Sequence, residues 1–275
     1  MTEKLAPLTT LIACAALLTI CQTTSATETK EAILKAMAGD HRSIEHKARD
    51  EYRHPLETLT FFGLESDMTV VEIWPGGAGW YTEILAPVLR DKGKLYAAHF
   101  PADSEVPFFK SSLESFKAKM AARPDVYDKV VLTELQPPKK REIAPAGSAD
   151  RVFTFRNVHN WMRSGHASAV FKAMHRALKK GGILGVVEHR GTAGTEQDPE
   201  ARSGYVTEAY AINLAEQAGF KLVEKSEVNA NPADVKSYPD GVWTLPPSLR
   251  LGDKGRDKYL AIGESDRMTL KFIKP

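Results

Sequence analysis

The stretch Thr69-Val70-Val71-Glu72-Ile73-Trp74-Pro75-Gly76-Gly77-Ala78-Gly79-Trp80-Tyr81-Thr82 decides how the rest of the chain is read. A short apolar run closes on a carboxylate, passes into a glycine-rich turn, and leads into a segment where Tyr81, Ile84, Leu85 and Val88 recur at i, i+3, i+4 and i+7. That is a strand feeding a helix through a loop with little side-chain bulk, an architecture used to bind nucleotides. Free backbone N–H groups at such a helix start can meet an anionic group, and glycine allows close approach. The competing reading is a turn that uses glycine only for its backbone freedom, and the flanking sequence must decide between the two.

Downstream, strand and helix patterns alternate. Strands are predicted at 94–100, at Val130-Val131-Leu132, at 150–155 and at 183–188, and helices at 106–122 and about 164–179. Gly181-Gly182 ends the second of these, with Lys179 and Lys180 in its last turn, where cations suit the helix dipole. Such alternation implies right-handed crossovers and a parallel sheet covered on both faces, an α/β Rossmann-like fold. A further helix at about 205–219 and strands at 221–228 and 268–273 add a C-terminal antiparallel strand pair. Between that pair, 229–266 carries Pro232, Pro239, Pro246 and Pro247 and reads as a long irregular lid or loop insertion.

Upstream, 27–58 reads as an N-terminal helical segment, stopped where Arg53-His54 meets Pro55, because the residue before proline is pushed out of the helical region. Surface capping is the preferred reading of Arg53 and His54, lining of a ligand cleft the other. Leu59 to Leu64 is an apolar knot expected in the core, and 59–275 forms the main domain. Residues 5–27 carry no charge, and the short apolar run inside them fits an export signal, cleaved after Ala26, better than a membrane span. The expected location is therefore outside the cytoplasm, in the periplasm. Cys14 and Cys21 are the only cysteines, and each sits in a context like a lipoprotein box, which would add a lipid anchor as the sole membrane attachment. The mature chain would hold no disulfide and no thiol nucleophile. A formal net charge of +2 over 275 residues argues against a nucleic-acid partner. The oligomeric state is not legible.

With these parts in order, the chain from about Leu59 to Pro275 resembles the class I S-adenosylmethionine-dependent methyltransferases. Phe155-Arg156-Asn157-Val158, then a helix, then Lys180-Gly181-Gly182-Ile183-Leu184 leading to Glu188, look like the ubiquinone/menaquinone C-methyltransferases. Glu72-Ile73-Trp74-Pro75-Gly76-Gly77, the run Trp80 to Pro87, and the ending from Ser265-Asp266-Arg267 to Lys274-Pro275 look like a group of bacterial exported predicted methyltransferases. The resemblance implies S-adenosylmethionine as cofactor and methyl transfer to a small-molecule acceptor. It makes Glu72 the acidic residue that orients the cofactor's amino-acid part. Gly76, Gly77 and Gly79 would form the cofactor turn, in which Trp74 stands where the first glycine is usual. Asn157 belongs to the same cofactor-binding set. His99 falls where a ribose-binding carboxylate is usual, and Glu134 is a candidate for the adenine edge.

Residues just beyond strand ends are the ones a ligand meets in such sheets. His159 is the first choice as a base that takes a proton from the acceptor, with Glu188, His189 and Tyr205 as further catalytic candidates. Each reads equally well as a structural hydrogen-bonding residue. No His-x-x-x-His or equivalent spacing is present, so no metal site is expected. A nicotinamide-dependent oxidoreductase is disfavoured because the third glycine of its fingerprint is missing. The remaining rival is a non-catalytic binder on a methyltransferase scaffold. Trp161, Trp243 and Leu245 suggest an apolar acceptor pocket, or simply a loop packing on itself.

Overall fold

In a computed structural model of the chain, residues 26–275 are described. The expected export signal over 1–26, with Cys14 and Cys21, lies outside them except for Ala26. No helix among the described residues is long and apolar enough to cross a membrane.

The helices are α1 (26–38), α2 (Ile44–Lys47), α3 (Asp50–Arg53), α4 (Pro55–Phe61), α5 (Thr82–Leu89), α6 (Pro107–Ala122), α7 (Pro124–Tyr127), α8 (Val158–Arg163), α9 (Ala167–Ala177), α10 (Glu208–Gln217) and α11 (Arg256–Ile262). The strands are β1 (Thr69–Ile73), β2 (Lys94–His99), β3 (Val131–Glu134), β4 (Ala149–Phe155), β5 (Leu178–His189), β6 (Lys221–Ser226) and β7 (Arg267–Ile273). They form one sheet in the order β3-β2-β1-β4-β5-β7-β6. The first five are parallel, whereas β7 runs antiparallel to both β5 and β6. The α/β reading with a closing antiparallel pair is correct.

Side chains of a strand alternate between faces, and the two halves of the core follow that alternation. On one face Val71, Val152, Leu184, Leu270 and Phe272 pack with Phe171 and Met174 of α9 and Ala211 and Ala215 of α10. On the other, Val70, Phe153 and Val187 pack with Ile33 of α1, Leu59 of α4, and Ile84 and Leu85 of α5. Each such large side chain stabilises by about 1.5–3 kcal/mol when fully buried. The N-terminal helices are therefore one wall of the core. Gly185 of β5 is where they come closest: a Cβ there would lie 2.6 Å from the Phe62 ring, which itself stacks on Phe153 at 5.3 Å.

Local chemistry accounts for the element ends. His54 adopts φ 40 between α3 and α4, and Pro55 takes the first position of α4, where a missing N–H costs nothing. Pro87 confines α5 to eight residues. Three features differ from the sequence reading. A short helix, α8, follows β4 directly. α9 ends at Ala177, because β5 begins at Leu178, ahead of Gly181-Gly182. The segment 229–266 is not wholly irregular: it holds a 3-10 turn, Gly241–Thr244, and α11.

Candidate active site

A cavity of about 890 Å³ opens over the carboxyl ends of β1, β4 and β5. The β1–α5 turn and α6 bound it on one side, and the segments 242–248 and 264–265 on the other. This is the crevice where open α/β sheets bind ligands. Glu72, Trp74, Gly76 and Gly77 face it from the turn, and Asn157, His159 and His189 from the ends of β4 and β5. Five residues expected at a site, Gly79, His99, Glu134, Glu188 and Tyr205, are absent from its lining.

The turn explains part of this division. Trp74, Gly76 and Gly79 all have positive φ, 45°, 71° and 55°. The backbone at Trp74 thus has the conformation that makes glycine usual there, held in place by the side chain. The Trp74 indole N–H donates to the Leu135 carbonyl at 2.9 Å, and the ring packs on Phe100 at 4.6 Å and Phe109 at 5.8 Å. Only Gly76 is open, since a Cβ there would meet nothing within 4 Å. At Gly77 it would lie 3.1 Å from Ser115 Cβ, and at Gly79 2.9 Å from the Phe116 ring, so these two glycines serve the packing of α6. Glu72, 2% exposed, accepts a 2.6 Å hydrogen bond from Thr82 Oγ1. Burial pushes its pKa up to about 7, against the pull of Thr82 and Lys119.

The last residues of β2 and β3 do not reach the cavity. His99 is buried, accepts from Phe100 N–H through Nδ1 at 2.8 Å, and has its pKa pushed down to about 4 by burial. Glu134 accepts from the backbone N–H of Ala102 at 3.0 Å and from Lys140 at 2.8 Å. Side-chain burial and ion pairing, invisible in strand spacing, decide both cases.

At the ends of β4 and β5 the structure builds a dyad. Glu188 is 0% exposed. Its Oε2 accepts from the backbone N–H of Val158 at 2.6 Å and of His159 at 3.3 Å, and its Oε1 from His189 N–H at 2.8 Å. Oε1 also lies 3.0 Å from His159 Nδ1. Oε1 already accepts from a backbone N–H, so a donating Nδ1 fits this contact and leaves Nε2 as the ring nitrogen available to act as a base. Glu188 therefore orients His159, and has no route to a ligand of its own. His159, Glu188 and His189 offer ligand atoms within 4.8 Å of one another, a possible metal constellation that no sequence spacing displays. Four donors already occupy the Glu188 oxygens, which favours the orienting role. His189 Nδ1 lies 2.5 Å from Ser265 Oγ, and burial with the nearby cationic groups drives the His189 pKa well below its ordinary value. Tyr205 donates to Asp234, 3.0 Å from both carboxylate oxygens, and burial and that carboxylate raise its pKa, so it is not a base for this cavity.

Trp243 lines the cavity, 5.9 Å from the His159 ring and with Arg250 4.8 Å over its face. Trp161 and Leu245, expected beside it, are core residues instead. The sequence reading also undervalued Arg53. It is 1% exposed and lines the cavity, because the left-handed turn at His54 folds α3 back onto the sheet. Arg156 and Glu264 line the cavity too and had been given no role; a charged residue within the Phe155-Arg156-Asn157 motif was the available signal for the first.

The strand order and the position of the cavity are those of the methyltransferase-type Rossmann-like fold. Solved structures agree. The chain is similar to a SAM-dependent methyltransferase from Aquifex aeolicus, with TM-score 0.55 and 16% identity over 83% of this chain and 93% of that one. It is similar to the [4+2]-cyclase SpnF, with TM-score 0.54 and 16% identity over 90% of this chain and 93% of that one. It is also similar to CrArsM, an arsenic(III) S-adenosylmethionine methyltransferase from Chlamydomonas reinhardtii, with TM-score 0.50 and 14% identity over 88% and 73%. At these identities the likeness establishes the fold. No family model matches the chain, and no curated protein matches it by sequence.

Proposed function

We propose that this protein transfers a methyl group from S-adenosylmethionine to a small-molecule acceptor. The observation that carries the proposal is His159, held by the buried Glu188 and facing the same cavity as the Glu72–Gly77 turn. The likeness to methyltransferases of known structure supports the general class. The residues present fit the amino-acid half of the cofactor: Glu72 can receive its ammonium, Gly76 leaves open space, and the cavity volume is within the range of small-molecule sites. Phe100, Phe108 and Phe109 offer an apolar wall for a purine. His99 ends β2 where a ribose-clamping carboxylate is usual, and Asp103, four residues on, is not in the cavity lining.

When bound, the sulfonium supplies an electrophilic methyl carbon for in-line displacement. The protein's own part is then positioning, together with removal of a proton where the acceptor must lose one. Glu188 holds the His159 ring through Nδ1, and Nε2 takes that proton. The buried carboxylate stabilises the imidazolium that results.

Calorimetry and thermal shift with S-adenosylmethionine test the reading on the mature chain. Saturable binding is expected, and neither heat nor shift at millimolar cofactor would sink it. His159→Ala should spare binding and lower turnover by about 10²–10⁴-fold; equal loss of both would remove His159 from the chemistry. The missing ribose carboxylate favours a second reading, a non-catalytic binder, for which cofactor binding would accompany no labelled product in any acceptor screen. Export to the periplasm is part of the proposal, read from residues 1–26, and cell fractionation tests it.

A further inference from the structure

One buried carboxylate in this protein serves a group of arginines too large for it. Glu264 accepts from Arg49 Nε at 2.6 Å and Arg53 Nε at 3.3 Å, and Arg267 lies 3.0 Å away. Burial would raise the Glu264 pKa, yet these arginines and Arg156 bring it down to about 2. Arg53 still has two nitrogens, Nη1 and Nη2, buried without any hydrogen-bond partner among the described residues, and Arg49 has one, Nη2. Arg156 also lines the cavity, and its side chain makes no hydrogen bond or ion pair within 4 Å among the described residues. Three guanidinium groups therefore share a single carboxylate, with a fourth, Arg156, close enough to help lower its pKa.

A buried cation without a partner costs several kcal/mol, so such an excess persists where something else neutralises it. The side of the cavity narrows the identity of that group. Arg156 follows β4, Arg267 opens β7, and Ser265, next to Glu264, lies 2.5 Å from His189, whose ring is 5.4 Å from that of His159, which places the charge on the side of the proposed base. We propose that Arg53 and Arg156 form an oxyanion-binding site, and that the molecule acted on by His159 carries a carboxylate, phosphate or sulfate that docks there. Guanidinium groups suit this task because their planar donor forks match the oxygens of such anions. The Arg53 guanidinium lies 4.5 Å over the Trp80 ring, which fixes its plane and gives the site a reporter. The acceptor assignment rests on the methyl-transfer reading; the anion site does not.

The test uses the mature chain, without cofactor, titrated with sodium sulfate and with sodium benzoate against sodium chloride at matched ionic strength, followed by tryptophan fluorescence and melting temperature. Sulfate or benzoate should give saturable changes that chloride does not. Arg156→Gln should weaken binding at least tenfold while leaving the anion-free melting temperature unchanged or higher, because it removes a partly buried charge that lacks an ion pair and adds to those of its neighbouring arginines. Arg53→Gln also removes a partner of Glu264, so Arg156→Gln decides the matter. Identical curves for sulfate, benzoate and chloride would overturn the site. So would an Arg156→Gln protein that melts lower without anion yet binds it as tightly as the wild type. Where S-adenosylmethionine binds, its affinity should be unchanged at saturating sulfate. Competition between the two would assign the arginines to the cofactor's own carboxylate and overturn the acceptor assignment, whereas failure of the cofactor to bind at all leaves the anion measurement standing.

Discussion

Glu72 offers the sharpest test of how this site is built. Burial raises its pKa from the ordinary 4.5 to about 7. Below pH 4.5 the carboxyl is protonated in both folded and unfolded chains, and its full contribution to stability is present. Between 4.5 and 7 the folded protein keeps a proton that the unfolded chain has lost, so stability falls as pH rises, and the loss is complete above 7. Each pH unit separating the two values is worth about 1.4 kcal/mol, which makes the loss about 3 kcal/mol. Glu72→Gln removes the titration while keeping an oxygen that can accept from Thr82. Urea unfolding of both proteins at intervals from pH 4.5 to 8 gives the difference directly: wild-type stability minus that of the variant should drop by about 3 kcal/mol across the range. Parallel pH profiles would refute the protonated, buried carboxyl. A ligand ammonium beside Glu72 would lower the pKa again, so cofactor binding near pH 6.5 should release a proton. Calorimetry in buffers of different ionisation enthalpy reads that release, and binding without it would locate the ammonium elsewhere.

Three further substitutions separate packing from chemistry. Tyr205→Phe should leave turnover within about twofold and cost about 1–2 kcal/mol of stability, since the hydroxyl is committed to Asp234; a tenfold loss of turnover at unchanged stability would return Tyr205 to the mechanism. Gly77→Ala should lower the melting temperature by forcing α6 away, at a cost of about 1–3 kcal/mol, whereas Gly76→Ala pays only for its positive φ, about 1 kcal/mol, and should weaken ligand binding. Equal melting of Gly77→Ala and wild type would refute the close packing of the turn on α6.

Much of the fold is legible in the chain itself. The alternation of Val70 with Val71 and of Val152 with Phe153 predicts strands with two buried faces, and the helical spacing of Ile84, Leu85 and Val88 predicts the helix after the glycine turn. Hydrophobic period and glycine or proline punctuation are local properties, so a linear reading recovers them. The same holds for the residues that follow strands, and this is why His159, His189, Asn157 and Glu72 were found. Their roles were not recoverable in this way. Near the end of a strand, Glu188 reads as a base by position, and only the approach of the Val158 and His159 backbone to its oxygens makes it the residue that orients one. His99 and Glu134 stand at the expected chain positions but are turned away from the cavity by burial and by Lys140.

The arginine group is not legible in the sequence. Arg53, Arg156 and Glu264 are far apart in the chain, and each alone looks like a solvated charge. Their meeting depends on a left-handed turn at His54, on the positive φ of 62° at Arg156, and on the return of 264–267 into β7, beside the carboxyl end of β5. The succession of strands and helices along the chain and the glycine turn beneath the cavity were determined by short-range pattern in the sequence. Which charges share that cavity, and how many of them lack a partner, was decided by tertiary structure, because burial and electrostatic neighbourhood are properties of distance in space.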